Sequence, residues 1–468
     1  MADLSCDVAI IGAGTAGLAA ERAARKAGAT TLLIDERFAG TTCATVGCMP
    51  SKLLVAAANA AHATRKASVF GIRTSSVSVD EQAVMSRVRE ERDRFVAATL
   101  KSIKKIPEGT CIRQRARFAE STTLELDNGQ KVSAKAVVIA TGSRPSLPKP
   151  FQLLGDIALT NETIFELASL PRSLAVIGAG PLGLELAQAM ARLGVQTAVF
   201  DEGEHIASLR DTEVAKALQS ELGKEFPIRL GVKLEVIKDA QGARLSWTGA
   251  STGVASFQRV LVAAGRPPAL HDLNLESTGL DMNERGIPRF DASTLQCGQS
   301  PIFLAGDVDA QRPVLHEASL EGTIAGRNAA SFPDVRKSKR TVPLSIMFTD
   351  PPLATIGAVP TVKMVAGSAS YANQGRARVE ARNTGLIRIY AETPNGMIAG
   401  ATLLGPGMDH IAHLFAWAIE RGETADALLR LPIYHPTFEE GFKSALQQIC
   451  EAVKSDLHDL DEVSPPGA

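Results

Sequence analysis

Two stretches of the chain share one pattern: a short apolar run, a glycine-rich turn, a helix-forming stretch and a second apolar run closed by an aspartate. Short apolar runs without polar alternation are typical of parallel strands that are buried on both faces. A strand, a crossover helix and a parallel strand make one β–α–β unit. The pattern therefore predicts two such units, with strands at 8–11 and 30–34 in the first, strands at 174–177 and 196–200 in the second, and helices running through Ala27 and Leu193.

The segments between and after these units have a different character. Further buried-type strands are predicted at 137–140, 260–264 and 302–304. From about Pro343 the strands alternate apolar with polar positions, and helices follow. An α/β region followed by an α+β domain is therefore predicted, with late elements at 386–390, 397–404, 408–421 and 438–453.

Length and composition exclude several classes of protein. The chain has 468 residues, 45% of them hydrophobic, and a net charge of −1. It is too long for one ordinary core, which suggests about three domains. Without a basic excess or an apolar run of about 18 residues, neither a nucleic-acid nor a membrane partner is predicted. The first residues lead directly into a strand without a charged or long apolar leader, so a reducing cytoplasm is the expected location.

Glycines and an acid occupy equivalent positions in the two units. Each first strand is followed by Gly-x-Gly-x-x-Gly, and an aspartate stands 23 positions after the first glycine. Such glycines allow a tight turn and a close approach of pyrophosphate, while the acid accepts ribose hydroxyls. Glycine-rich turns without a ligand are the alternative. The repeated order of elements favours two dinucleotide sites, one at Gly12, Gly14, Gly17 and Asp35 and one at Gly178, Gly180, Gly183 and Asp201.

A cysteine pair follows the first unit, in Gly40-Thr-Thr-Cys-Ala-Thr-Val-Gly-Cys-Met-Pro-Ser-Lys52. In a regular helix, residues five apart would be separated by roughly 8.6 Å at Cα, whereas a disulfide requires about 4.4–6.8 Å. The segment must therefore be distorted, and Gly47 and Pro50 are suited to this because one is permissive and the other removes a helix hydrogen bond. Two buried thiols are the alternative. We predict a reducible, working disulfide between Cys43 and Cys48; the other four cysteines show no metal-ligand spacing.

The ordered motifs resemble those of the class I pyridine nucleotide–disulfide oxidoreductases, the family of dihydrolipoyl dehydrogenase and glutathione reductase. The resemblance covers nearly the whole chain. Besides both glycine fingerprints and the cysteine segment, it rests on Ala140-Thr-Gly142, Gly265-Arg-Pro267, Ala305-Gly306-Asp307, Phe348-Thr-Asp-Pro351 and His435-Pro-Thr-Phe-Glu-Glu440.

The resemblance implies FAD in the first unit, NAD(P) in the second, and a homodimer whose active sites are shared between subunits. The expected fold is α/β, with two Rossmann-like, doubly wound, three-layer nucleotide-binding domains plus a C-terminal α+β dimerisation domain. The expected boundaries are 1–148 for the FAD-binding domain, 149–271 for the NAD-binding domain, 272–342 for a central region completing the FAD domain, 343–454 for the interface domain and 455–468 for an acidic tail.

The resemblance also assigns roles to the cysteine segment. Cys48 would face the flavin as a thiolate, and Cys43 would exchange with a dithiol or disulfide substrate. Lys52 follows Cys48 by four positions, on the same side of a helix, and nearby positive charge lowers a thiol pKa. Glu185 matches the glutamate partner of this lysine. Further cofactor contacts are expected at Lys52, Thr42, Ala116, Thr141, Gly142, Ser143, Gly265 and Asp307.

Two histidines receive separate predictions. In the family motif, His435 removes a thiol proton in the neighbouring subunit's active site and is oriented by Glu440 rather than by the adjacent Glu439. Imidazole suits proton transfer near neutral pH, and an acid that orients the ring raises its basicity. His316 lies in a segment that resembles one near the flavin. Two interpretations of His316 stay open: it borders the isoalloxazine, or it packs in the core.

The acids after the second unit favour NAD over NADP. Asp201, Glu202 and Glu204 place negative charge where a 2′-phosphate would lie. The expected function is therefore electron transfer between a dihydrolipoamide-like dithiol or lipoyl domain, the Cys43–Cys48 pair, FAD and NAD.

Three alternative functions fit some of the same motifs. One is a reductase of a glutathione-type disulfide with NAD(P)H, and another is a nucleotide-binding redox sensor without turnover. The third, a mercuric reductase, would normally carry a pair of cysteines near the C-terminus. It is disfavoured because this chain has only Cys450 there. Departures from the family pattern at Thr45, Ala269 and Pro352 leave the substrate open.

Overall fold

The computed structural model describes residues 3–455, so the predicted tail lies outside the described residues except for Ser455. Within this range, no helix is long and apolar enough to cross a membrane. The first unit contains β1 (Leu4–Ile11), α1 (Thr15–Lys26), β2 (Thr31–Ile34), α2 (Thr42–Thr45), α3 (Cys48–Lys66), α4 (Glu81–Ile103), β3 (Cys111–Ile112), β4 (Ala116–Phe118), β5 (Thr123–Leu126) and β6 (Lys131–Ile139).

The second unit and the central segment follow in chain order. The second unit contains α5 (Lys149–Gln152), β7 (Ala158–Leu159), β8 (Ser173–Ile177), α6 (Pro181–Arg192), β9 (Gln196–Phe200), α7 (Thr212–Leu222), β10 (Ile228–Arg229), β11 (Val232–Asp239), β12 (Gly242–Gly249), β13 (Gly253–Phe257) and β14 (Arg259–Val262). The central segment contributes β15 (Ile302–Leu304) and α8 (Leu315–Ser331).

The first sheet is organised around β1, which pairs in parallel with β2 on one side and β6 on the other. The long strand β6 has two further partners. Its residues 131–133 pair with antiparallel β5, whereas residues 137–139 pair with parallel β15. The chain therefore leaves the first sheet, builds the second unit and returns to add a strand to the first sheet.

Alternate residues of the first sheet face two different layers, as the two-residue period of a strand requires. Val8, Ile10 and Val138 pack with the alanines of α1 and α8. Ala9 and Ile11 pack with the antiparallel strands β4 and β5. The sheet is thus the middle of three layers.

The second sheet repeats this arrangement. Its five strands are parallel, in the order β10-β9-β8-β14-β7. Val176 and its neighbours face α6, whereas Ile177 and Phe200 face the antiparallel strands β11, β12 and β13. The prediction of two three-layer, Rossmann-like domains is confirmed.

The C-terminal domain is α+β, also as predicted. Its antiparallel sheet has the order β16-β17-β20-β19-β18, and Phe415 and Ile449 from two helices pack on one face. Its elements are β16 (Leu344–Met347), β17 (Leu353–Gly357), β18 (Met364–Ser370), α9 (Gly375–Val379), β19 (Leu386–Glu392), β20 (Ile398–Leu404), α10 (Met408–Arg421), α11 (Ala425–Leu429) and α12 (Lys443–Val453). The predicted helix at 438–453 instead begins with a 3₁₀ segment, Phe438–Phe442, before α12.

Candidate active site

A cavity of about 1880 Å³ lies along the turns that follow the parallel strands of both units. Open α/β sheets bind ligands outside the carboxyl ends of their strands. Most of the predicted cofactor residues line this cavity: Gly12, Gly14, Asp35, Thr42, Lys52, Ala116, Thr141, Gly142, Ser143, Gly178, Gly180, Asp201, Gly265 and Asp307.

In the first fingerprint, the outer glycines are required by the backbone. Gly12 has φ +102°, and a side chain on Gly17 would overlap the Gly12 carbonyl oxygen. Gly14 is different, because its φ is −76° and no atom lies within 4 Å of where its Cβ would be. The fold itself therefore does not require glycine at position 14. The space beside it, at the N-terminus of α1, fits the pyrophosphate of a dinucleotide.

The second fingerprint has the same division of roles. Gly178 has φ +111°, and a side chain on Gly183 would overlap the Gly178 carbonyl oxygen. Gly180 has φ −77° and open space beside it, at the N-terminus of α6. Both turns thus fit a dinucleotide.

The aspartates that close the two units brace these turns. Asp35 Oδ2 accepts a hydrogen bond from the Ala13 amide at 3.0 Å, and Asp201 Oδ2 accepts one from the Ala179 amide at 2.6 Å. Asp201 Oδ1 accepts from the Gly203 amide at 2.7 Å. Both carboxylates therefore border the cavity in a fixed orientation, as a ribose-binding acid requires.

The turn after β6 carries an unpaired hydroxyl. Thr141 Oγ1 is buried and has no hydrogen-bond partner among the described residues. Leaving a buried polar group unpaired is costly, and Thr141 lines the cavity. Next to it, the Ser143 hydroxyl donates to Asp307 Oδ2 at 2.9 Å. A cofactor in the cavity would supply the missing partner of Thr141.

The cysteine pair lies where two helices meet. α2 ends at Thr45 and α3 begins at Cys48, with Gly47 between them in a non-helical conformation. A side chain on Gly47 would approach the Thr42 carbonyl oxygen to 2.8 Å, so glycine allows this break. Pro50 lies in the first turn of α3, so it breaks no hydrogen bond within that helix. Its missing amide hydrogen does remove the donor that the Val46 carbonyl would have if α2 and α3 were one continuous helix.

Both cysteines are free thiols in this structure, and a disulfide between them stays a prediction. A hydrogen bond from Cys43 to the Cys48 sulfur, with help from the Lys52 charge, lowers the pKa of the Cys48 thiol to about 6. The same hydrogen bond, together with burial, raises the pKa of Cys43 well above its usual value. At neutral pH the pair therefore holds a thiolate at Cys48, at the N-terminus of α3, and a thiol at Cys43.

Residues from three parts of the chain meet at Lys52. Its ammonium Nζ lies 2.7 Å from Glu185 Oε2, and Glu185 is only 4% exposed. Glu185 Oε1 accepts the Phe348 amide at 2.8 Å, and the Phe348 ring lies 4.6 Å from Lys52 Nζ. The sequence-predicted pair is thus brought together, and a residue of the C-terminal domain joins it.

His435 and Glu440 form a second cluster, away from the cavity. His435 Nδ1 lies 2.9 Å from Glu440 Oε1, and Glu440 Oε2 accepts the Thr437 amide at 3.1 Å. The Glu440 side chain is 4% exposed, whereas the His435 side chain is 63% exposed. Neither residue lines the cavity. Within one chain, the predicted base is therefore oriented by the predicted acid but is not beside the cysteines.

The structure contradicts the interpretation that His316 packs in the core, whereas a position beside the flavin stays a prediction. His316 is exposed at the start of α8 and does not line the cavity, although its neighbour Leu315 does. Two cavity residues that the sequence did not single out, Asn161 and Arg266, are hydrogen-bonded to each other beside the cysteine segment. The only sequence signal for them was the position of Arg266 directly after Gly265.

Known proteins are similar to this chain along almost its entire length. Dihydrolipoyl dehydrogenase of Bacillus subtilis is 32% identical over 463 residues, covering 94% of this chain and 97% of that protein. A mercuric reductase of Streptomyces lividans is 31% identical, covering 94% and 95%.

A solved structure with the same fold is a Cu(II) complex of the HOCl-induced flavoprotein disulfide reductase RclA from Escherichia coli, with a TM-score of 0.81 at 21% identity, covering 95% of this chain and 99% of that one. The pyridine nucleotide-disulphide oxidoreductase family matches residues 6–322, and its dimerisation domain matches residues 344–446. The family binds FAD and uses NAD(P)H. With its two dinucleotide turns, its cysteine pair and these matches, the chain belongs to the pyridine nucleotide-disulphide oxidoreductase family.

Proposed function

We propose that this protein oxidises dihydrolipoamide-like dithiols with NAD, through the Cys43–Cys48 pair and FAD. The single observation that carries the proposal is the position of the cysteine pair at the break between α2 and α3, beside the Lys52–Glu185 ion pair. A hydrogen bond from Cys43, which lowers the pKa of the Cys48 thiol to about 6, supports it. The similarity to dihydrolipoyl dehydrogenases supports the choice of substrate.

The two sulfurs have different tasks in this proposal. A substrate thiolate attacks the Cys43 sulfur of the oxidised pair, the bond between Cys43 and Cys48 breaks, and Cys48 leaves as a thiolate. The second substrate thiol, after losing its proton to His435, attacks the substrate sulfur of the mixed disulfide. The bond to Cys43 breaks, and the departing Cys43 sulfur takes up the proton from His435. Two electrons thereby pass from substrate to the pair, and bound FAD supplies two-electron exchange between that pair and a nicotinamide.

The base for this reaction comes from the partner subunit in our proposal. His435 is exposed and does not line the cavity of its own chain, although Glu440 already orients its ring. The dimerisation domain also exposes Leu414 and Trp417, three positions apart on α10, which is typical of a covered surface. The proposed homodimer would then complete each site.

A heterodimer tests the shared site. His435→Gln in one chain and Cys43→Ser in the other inactivate each homodimer, but a heterodimer contains one complete site. Activity of up to about half per dimer is expected, against a 10²–10⁴-fold loss in the His435→Gln parent. Differently tagged, co-expressed heterodimers that stay as inactive as both parents would contradict the sharing of residues.

NAD is the proposed nucleotide because the Asp201 carboxylate is held at the cavity wall, where a 2′-phosphate would be repelled. Steady-state kinetics with dihydrolipoamide, glutathione disulfide and mercuric ion, each with NAD(H) and NADP(H), test both substrate and nucleotide. The highest kcat/KM is expected for dihydrolipoamide with NAD. A higher value for either other substrate, or for NADP(H), would overturn the corresponding part of the proposal. The cytoplasmic location stays a prediction.

A further inference from the structure

Asn161 joins the cysteine segment to the second unit. It follows β7 and is 4% exposed. Its side-chain Nδ2 donates to the Val46 carbonyl oxygen at 2.9 Å, and its Oδ1 accepts from Arg266 Nη1 at 2.9 Å. Both polar atoms of the amide are therefore used, and their orientation is set by partners from two other segments.

The Val46 carbonyl has a specific need for this bond. In a continuous helix it would accept the amide hydrogen of the residue four positions later. That residue is Pro50, which has no amide hydrogen. The Asn161 amide therefore supplies the donor that the sequence removes, at the residue where α2 has ended and just before Gly47.

Arg266 holds Asn161 from the turn that follows β14. Arg266 Nε donates to Ser143 Oγ at 3.1 Å, and Nη2 donates to the Ser143 carbonyl oxygen at 2.9 Å. The Ser143 hydroxyl donates onward to Asp307. All three nitrogens of the Arg266 guanidinium donate hydrogen bonds, so Arg266 cannot reorient without breaking bonds on the side of the first unit.

We propose that Asn161, oriented by Arg266, is a positioning residue that holds the backbone between Cys43 and Cys48 so that the two sulfurs meet. The inference rests on the proposed function of the pair as the redox centre. Val46 lies between the two cysteines, so release of its carbonyl frees the segment that sets their separation. A displacement of about 1 Å far from the reacting atoms can cost up to about 10²-fold in rate.

Two variants of Asn161 distinguish a loss of positioning from an effect of added charge. Asn161→Leu removes both hydrogen bonds without adding charge, and Asn161→Asp keeps an acceptor for Arg266 but loses the donor to Val46. Each is expected to lower dithiol-dependent kcat about tenfold, whereas NADH-driven reduction of ferricyanide, which bypasses the cysteines, stays within about twofold. In both reduced variants the pH midpoint for alkylation by iodoacetamide is expected to rise by about one unit, because a looser Cys43 contact stabilises the thiolate less.

A matched control is Asn395→Asp. Asn395 is exposed in a turn of the C-terminal domain and uses only its oxygen, which accepts the Met397 amide at 3.2 Å. Because an aspartate can accept the same bond, wild-type turnover and the wild-type alkylation midpoint are expected.

Three results would overturn the positioning role. These are wild-type behaviour of Asn161→Leu, an equal loss of ferricyanide reduction, and an effect confined to Asn161→Asp, which would indicate charge alone. Failure of the proposed function looks different, since the wild type itself would then lack dithiol turnover. The alkylation midpoint would still report whether Asn161 holds the pair.

Discussion

The two nucleotide-binding units use the same turn but different helices. Gly12 and Gly178 have similar positive φ values, Asp35 and Asp201 accept equivalent amides, and each sheet has helices on one face and antiparallel strands on the other. The helices that follow the turns share a length of 12 residues but bury different side chains. The two units therefore share the turn that fits a dinucleotide, whereas the residues that each following helix buries differ.

Apart from Glu21, the first helix, α1, buries only alanines and a glycine. Side chains on Gly322 and Gly326 of α8 would overlap the carbonyl oxygens of Ala16 and Ala20, so the two helices approach backbone to backbone. Such close contact leaves no room for functional groups on this face. The packing therefore fixes the helix that follows the first turn, and the cysteines lie on a later segment of the first unit.

The second helix, α6, buries polar side chains instead. Glu185, Gln188 and Arg192 are each 4% exposed. Gln188 bonds the amide and the carbonyl of Asp350, and Arg192 pairs with Glu225 and Asp350. A buried charge is tolerated when it is paired and hydrogen-bonded. Together with the Glu185–Lys52 pair, these bonds make α6 the connection between the C-terminal domain and the helix that carries Cys48.

Removing the redox pair affects only the first unit and should have the largest effect. Cys43→Ser and Cys48→Ser are each expected to abolish dithiol turnover while FAD stays bound, because the turn at Gly12 holds the cofactor independently. Only reduced Cys43→Ser should retain a long-wavelength charge-transfer absorbance, since it keeps Cys48. In the wild type, this absorbance should disappear as the pH falls through about 6, where Cys48 becomes protonated. Identical spectra in both variants would show that the flavin-facing sulfur is misassigned.

Filling the open space beside Gly14 or Gly180 should show which cofactor each unit binds. Gly14→Val is expected to yield protein without FAD, whereas Gly180→Val should retain FAD and raise KM for NAD(H) by about tenfold or more. Neither glycine has a positive φ, so both variants can fold. The flavin spectrum of the purified proteins and steady-state kinetics provide the measurements. Loss of FAD from Gly180→Val would contradict the assignment of one cofactor to each unit.

Neutralising Asp201 or the equivalent Asp35 should affect the binding of different ligands. Asp201→Asn is expected to reduce the NAD over NADP preference in kcat/KM by about tenfold, because repulsion of the 2′-phosphate is lost. Asp35→Asn serves as the matched control, with weaker FAD retention and an unchanged nucleotide preference. If Asp35→Asn shifted the preference and Asp201→Asn did not, the two sites would be interchanged.

Variants of the Lys52–Glu185 ion pair should give the smallest effects, and the two members of the pair should have effects of opposite sign. The Lys52 charge lowers the pKa of Cys48 and the Glu185 charge raises it. Lys52→Met should therefore move the midpoint of the charge-transfer absorbance to higher pH, and Glu185→Gln should move it to lower pH, each by about one unit or less. Spectroscopic pH titration of the reduced variants measures both shifts. Shifts in the same direction would mean that the pair acts by packing rather than by charge.

Local features of the sequence were sufficient for the elements, the two dinucleotide turns and the family. Strand and helix periods, glycines that need a positive φ and the order of motifs depend on residues close in the chain. Even so, the sequence did not show that Pro50 would lie in the first turn of α3, where it breaks no bond within that helix and affects only the Val46 carbonyl before it.

Only the tertiary structure decided which distant groups meet. Asn161 and Val46 are 115 positions apart, and Glu185 reaches Phe348 across 163 positions. A lone asparagine before a turn is, in sequence, indistinguishable from an ordinary capping residue. The exposure of His435 likewise depended on how the C-terminal sheet packs, not on its motif. The conformation of a turn depends on neighbouring residues in the sequence. The partners of a side chain depend on packing, because hydrogen bonds and burial involve residues that are close in space but distant in the chain.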